Sequence, residues 1–172
     1  MTSPLIPLQD GKLSGYIDAS GSWVIPPRFL LAFPFYEGLG LVAVAARAWG
    51  VKRVQRYGYI DETGETVIPP SFQEAFSFSG GLASVVPGNS LRGFWGYIDR
   101  NGALAIRARY SLSGGFFDGL ARVRRGRLWG YIDTRGRRVI KHQFDSAHDF
   151  SSGLAAVKEC ASGKWGYIES AG

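Results

Sequence analysis

An all-β repeat fold follows from three observations. Gly-Tyr-Ile-Asp recurs four times, its flanks are rich in aromatic and β-branched residues, and glycines stand at fixed turn positions between them. The motif opens at Gly15, Gly58, Gly96 and Gly130, and Gly166-Tyr167-Ile168-Glu169 opens a fifth copy. Successive spacings are 43, 38, 34 and 36 residues. A second landmark, Gly-Leu, follows at Gly38, Gly81, Gly119 and Gly153, always 23 residues after the opening glycine. All length variation therefore lies between Gly-Leu and the next Gly-Tyr-Ile, as for a packed scaffold with one tolerant loop.

The elements of one copy are read in order. Trp95-Gly96-Tyr97-Ile98-Asp99 has the short aromatic and branched character of a strand, with Trp and Tyr on one face and Ile on the other. Asp-x-x-Gly (Asp61 to Gly64, Asp133 to Gly136) makes a tight reversal, the Asp side chain bonding turn amides. The pairs Val24-Ile25, Val67-Ile68, Ala105-Ile106 and Val139-Ile140 begin the returning strand. Pro26-Pro27 and Pro69-Pro70 are expected to end it, because proline cannot donate to a ladder. The Phe-x-x-Ala-x-x-Phe stretch (Phe29, Ala32 and Phe35 in the first copy) reads as a connector with one helical turn. Gly-Leu-Ala-x-Val then opens a third strand that turns back into the next copy.

Leu5 to Tyr16 aligns without a gap on Leu120 to Tyr131, so the N-terminal stretch is a degenerate third strand. The predicted organisation is one domain over 1–172: a capping half-repeat 1–14, repeats 15–57, 58–95, 96–129 and 130–165, and a capping strand 166–172. The predicted architecture is a set of tandem three-stranded antiparallel repeats, stacked as a short twisted rod or curved solenoid-like meander. A closed four-bladed propeller-like ring is the alternative.

The composite Trp-Gly-Tyr-Ile-Asp-x-x-Gly-x-x-Val-Ile-x-x-x-Phe, followed by Phe-x-x-Gly-Leu-Ala-x-Val, resembles the WG-repeat (KWG-repeat) family of bacterial β-repeat proteins. The resemblance covers nearly the whole chain. Departures fall at Ser14 and Tyr57, where Trp is expected, and at Arg107-Ala108 and Lys141-His142, where two prolines are frequent. The resemblance implies an interaction platform and carries over no catalytic residue.

Composition narrows the remaining classes. With 45% apolar and 20% charged residues, the 172-residue chain is globular. Residues 1–14 show no basic n-region before an apolar run, and no stretch reaches the roughly 20 apolar residues of a membrane span. A soluble cytoplasmic protein is expected, or a periplasmic one if a signal has been removed. Cys160 is the lone cysteine, and no Cys/His cluster suggests zinc. No cofactor is expected.

The repeated Asp18, Asp61, Asp99 and Asp133 form a tempting acid/base set, but each sits where a turn needs an Asp. The repeated Trp and Tyr could stack sugars or bases; beside an invariant glycine in each copy, they are better read as packing between neighbours. His142 and His148 occupy different positions with no nucleophile at a recognisable spacing. Trp49 lies outside the repeat in the longest insert, Ala43 to Arg56, which makes it a candidate contact residue.

Charge departs most from the repeat. Residues 92–143 hold 12 basic and 3 acidic groups, and this segment accounts for the net charge of +6. Arg122 and Arg124 alternate with Ala121 and Val123 and share the outer face of one strand. Arg125 and Arg127 follow in a turn, Arg107 and Arg109 share a face, and Arg135, Arg137 and Arg138 occupy the next hairpin. These nine arginines, with Trp49, are the candidate binding residues. The bland reading is a solvated face.

The functional expectation is a non-enzymatic protein-binding or scaffold module whose variable hairpin loops choose the partner. The alternative is an anionic partner (acidic protein, polyanionic glycan or nucleic acid backbone) held by the arginine patch of repeats 3 and 4. Partners are thus another protein or an anionic ligand, without membrane insertion, and the terminal hairpins offer a route to homo-oligomers.

Overall fold

The computed structural model describes residues 4–47 and 54–170, and all regular structure among them is β. The chain falls into two compact units: Met1–Ser77 with Pro87–Asn89, and Phe78–Val86 with Ser90–Gly172. The first unit holds β1 (Ile6–Asp10), β2 (Leu13–Ile17), β3 (Trp23–Phe29), β4 (Leu31–Tyr36), β5 (Leu39–Ala46), β6 (Val54–Ile60), β7 (Thr66–Phe72) and the short β8 (Glu74–Ala75). There β1-β2-β3 form one antiparallel sheet and β4-β5-β6-β7 another. The second unit holds β9 (Ala83–Val86), β10 (Trp95–Ile98), β11 (Leu104–Tyr110), β12 (Leu112–Phe117), β13 (Leu120–Arg125), β14 (Leu128–Asp133), β15 (Arg138–Ala147), β16 (Leu154–Glu159) and β17 (Trp165–Glu169). Here β9-β10-β11 pair in order, and β12 to β17 make a six-stranded meander. The sheets are open: β1 pairs only with β2 and β17 only with β16 among the described strands. The tandem antiparallel repeats are as the sequence predicts, and no sheet among the described residues closes into a barrel or propeller.

Two local expectations change. The Val-Ile strands do not stop at proline. Three copies run seven residues and β15 runs ten, and their first seven positions share one burial pattern, in which only the third and seventh are buried: Ile25 and Phe29, Ile68 and Phe72, Ile106 and Tyr110, Ile140 and Phe144. The prolines fit because the ladder is broken there. Tyr16 pairs with Ile25 and Ser14 with Phe29, so Gly15 alone opposes three residues in a bulge, where no proline N–H is needed. The same shift recurs opposite Gly58, Gly96 and Gly130. The bulge presses on that glycine: a Cβ at Gly58, Gly96 or Gly130 would come 2.6 Å from the carbonyl oxygen of Ile68, Ile106 or Ile140.

The second change concerns the Phe-x-x-Ala-x-x-Phe connector, which is strand rather than helical turn. The backbone bends after the buried aromatic and resumes as β4 or β12, while β15 runs through to Ala147 without a break. Leu30 N–H and Ser111 N–H donate at the bend to Ala43 O (2.8 Å) and Arg124 O (2.9 Å). One strand thus serves two sheets, and each sheet combines the end of one sequence repeat with the start of the next. The Gly-Leu turn preceding β13 has positive φ at both Asp118 (50°) and Gly119 (78°), the signature of a tight primed hairpin. The insert after Ala43 lengthens the next hairpin along the chain, between β5 and β6, pairing Ala43 with Tyr57 through Ala46 with Val54. Trp49 lies outside the described residues.

The repeated tyrosines are the centre of each core. Tyr16, Tyr59, Tyr97 and Tyr131 are fully buried. Each phenol donates to the backbone carbonyl 17 residues on: Phe33 (2.8 Å), Phe76 (2.7 Å), Gly114 (2.8 Å) and His148 (2.8 Å). Phe35, Phe116 and Phe150 pack against Tyr16, Tyr97 and Tyr131 at ring-centroid distances of 4.8, 4.9 and 4.8 Å. The repeated Asp is a turn residue: Asp61 Oδ1 accepts the amides of Thr63 and Glu65, both at 2.9 Å.

Candidate functional site

All nine candidate arginines lie in the second unit, and its strands divide them into three groups. The first is tied into the fold. On β13, Arg122 and Arg124 alternate with buried Val123, and both guanidiniums lie over the Trp129 ring, at 5.5 and 5.8 Å from its centroid. Arg122 ion-pairs with Asp149 at 2.8 Å and donates to Ala147 O at 2.8 Å, while Arg124 donates to the Ser111 hydroxyl at 3.2 Å. Arg137 donates to Asp133 Oδ2 at 2.6 Å within its own turn. These three are held by neighbours.

The second group, Arg107, Arg127 and Arg135, is exposed, and its guanidiniums have no hydrogen-bond or ion-pair partner among the described residues.

The third group converges. Arg109 from β11, Arg125 from the end of β13 and Arg138 from the start of β15 line one cleft of about 250 Å³, together with Tyr110, Ile132, Gly136 and His142. Arg109 donates to the Tyr110 hydroxyl (3.2 Å) and to Gly136 O (3.4 Å), which fixes its place at the cleft. The corresponding Arg28 makes the same bond to Gly64 O in the first unit, so this arginine joins successive copies. Arg125 and Arg138 have no partner among the described residues. His142 stacks on Tyr110 with centroids 6.4 Å apart and planes 23° apart, and its Nε2 is buried without a hydrogen bond. Burial, and then the charges of Arg138, Arg125 and Arg109, hold the imidazole pKa below its ordinary value. The cleft is therefore cationic without His142 itself being charged. By contrast, a cleft of about 210 Å³ in the first unit, lined by Pro7, Leu8 and Leu31 among others, carries no charged side chain.

The repeat pattern itself decides kinship. The model of the family described as WG containing repeat matches residues 15–44, 57–89, 95–128 and 129–165, well over half of the chain. The chain belongs to the WG-repeat family. No curated protein and no solved structure matches it. In this WG-repeat chain the motif tryptophans have unequal roles: Trp95 is buried, Trp129 lies under two guanidiniums, and Trp165 is 54% exposed at the edge strand β17.

The other sequence candidates are placed as follows. His148 gives its carbonyl to Tyr131, and its ring meets Trp165 edge-on at 5.3 Å. Cys160 is exposed, and the Asp145 carboxylate, its largest influence, raises the thiol pKa, which disfavours a reactive thiolate. No group of three or more His, Cys, Asp or Glu side chains among the described residues is placed to hold a metal ion. No helix among them is long and apolar enough to cross a membrane. The chain is a repeat-based all-β module consistent with a scaffold or interaction fold, and its excess of positive charge lies in the second unit.

Sequence reasoning placed Arg109, Arg125 and Arg138 in the patch but passed over His142. The signal was present: His142 stands where Pro27 and Pro70 stand, in the bulge opposite the motif glycine.

Proposed function

We propose that this protein is a non-enzymatic interaction module that binds an acidic protein through the arginine face of its second unit. The observation that carries this reading is the imbalance between guanidiniums and carboxylates there. Asp133 is occupied by its turn and Arg137, Asp149 by Arg122, and Asp118 accepts the Gly153 amide at 2.8 Å. The guanidiniums of Arg107, Arg125, Arg127, Arg135 and Arg138 are left without a carboxylate partner among the described residues. A guanidinium is the side chain suited to paired hydrogen bonds with a carboxylate.

An acidic protein fits better than a single-stranded nucleic acid, whose bases are bound by stacking on open aromatic faces. The rings beside these arginines are covered: Tyr110 is 2% exposed and Trp129 lies under Arg122 and Arg124.

The test is fluorescence anisotropy of a labelled Glu/Asp-rich peptide with the full chain across a salt series, with a DNA duplex in parallel. The reading predicts peptide binding that weakens steeply with salt and is lost in the Arg107→Gln/Arg127→Gln/Arg135→Gln variant. Salt-independent binding, full affinity in the triple variant, or preference for the duplex contradicts it.

A further inference from the structure

We infer that the cleft formed by Arg109, Arg125, Arg138 and His142 is a binding site for one phosphate monoester group. This rests on the reading of the arginine face as a surface for an anionic partner, and it specifies which group that partner inserts.

Charge is the first argument. Three guanidiniums from three different strands line a single cleft, and no carboxylate lines it. One carboxylate would leave two positive charges uncompensated. A phosphate monoester carries about −1.5 to −2 at neutral pH and offers three strong acceptor oxygens. It neutralises at least half of the positive charge of the three guanidiniums and gives each of them an acceptor oxygen.

The second argument is independent of charge. A buried polar atom without a partner is uncommon in folded proteins, yet the buried His142 Nε2 has none, and His142 lines this cleft. An oxyanion seated among the guanidiniums gives an Nε2–H its missing acceptor. The Tyr110 ring on which His142 stacks holds the imidazole in place.

Size and surface limit the ligand. The volume, about 250 Å³, lies below the range of roughly 300–1,000 Å³ for sites that enclose drug-sized molecules. Tyr110, at 2% exposure, presents no open face to a base. The cleft accepts the phosphoryl head of a larger molecule, or free phosphate, and not a nucleotide buried whole. Its position also departs from the repeat. His142 replaces a bulge proline, and Arg138 stands where the other copies have Trp23, Thr66 and Leu104.

The experiment titrates the full chain with four probes: an acidic peptide with one phosphoserine, the same peptide with Ser, the same with Glu, and inorganic phosphate. Affinity is read by calorimetry and the His142 ring resonances by NMR. The phosphoserine peptide is expected to bind at least about tenfold more tightly than the Ser and Glu forms. It is also expected to move the His142 resonances and raise the imidazole pKa, because a nearby anion favours the charged ring. Both effects disappear in Arg125→Gln and Arg138→Gln, whose side chains have no partner to lose, so unchanged thermal melts keep the comparison valid.

The arms separate the sources. If inorganic phosphate alone moves His142 as far as the peptide does, the site serves free phosphate; if only the phosphopeptide does, it serves a phosphorylated partner. Equal binding of all three peptides with a stationary His142 overturns the phosphate site and leaves the acidic-partner reading standing. Phosphate-dependent shifts without binding of the Ser or Glu peptide retain the site and refute the broader reading.

Discussion

Gly130 lies so close to Ile140 on the neighbouring strand that a Cβ on the glycine would come 2.6 Å from the Ile140 carbonyl oxygen. At Gly166, the same motif position in β17, nothing lies within 4 Å of a Cβ. Gly130→Ala is therefore expected to cost about 1–3 kcal/mol or more by forcing the bulge open. Gly166→Ala should stay within about 0.5 kcal/mol of the parent. Denaturant melts of the two variants check the pair.

Tyr97→Phe should be destabilising although it keeps the ring and its contact with Phe116. The Tyr97 hydroxyl is the buried donor to Gly114 O at 2.8 Å, and its loss leaves a buried carbonyl unsatisfied. The expected cost is about 1–3 kcal/mol in urea unfolding.

The Asp turns make stability depend on acid. The Thr63 hydroxyl, joined by the amides of Glu65 and Thr63, holds the Asp61 carboxyl below its ordinary range. Asp18 is lowered in the same way, chiefly by the Ser20 hydroxyl. A folded pKa below the unfolded value of about 3.9 gives stability that is present above that pH and lost as pH falls through the folded value. Asp61→Ala should lower the melting temperature at pH 7 and narrow its gap from the parent near pH 2. An unchanged gap across that range would mean that the turn carboxylate adds nothing.

His142 works with the same sign. Its folded pKa lies below the ordinary 6.5, lowered by burial and by Arg138, Arg125 and Arg109. As pH falls, the unfolded chain takes the proton first, so His142 withdraws stability below about pH 6.5 and contributes no loss above it. Arg138→Gln removes one repelling charge and should move the His142 titration, followed by NMR of its ring protons, upward toward 6.5.

How much of this was legible in sequence depended on whether a feature is local. The Asp turns were readable because Asp61 and Gly64 carry all their chemistry within five residues. The tyrosine cores were readable because an aromatic beside a fixed glycine in every copy has a packing reason to be there. The strand through Pro26-Pro27 was hidden, since its bulge exists only once Gly15 lies opposite and removes the need for a donor. The connector was hidden because its pairing partners, such as Val123 for Ser113, belong to a hairpin further along the chain. The cleft was hidden for the same reason. Arg109, Arg125 and Arg138 are 13 or more residues apart, and only the meander from β13 to β15, together with β11, brings them to one place.

The most direct test of the account is a backbone amide NMR map of the full chain titrated with the Glu/Asp-rich peptide. The account predicts that perturbations concentrate on Arg107, Arg109, Arg125, Arg127, Arg135, Arg138 and His142. Perturbations confined to the first unit, or to the open edges of β1 and β17, would contradict it.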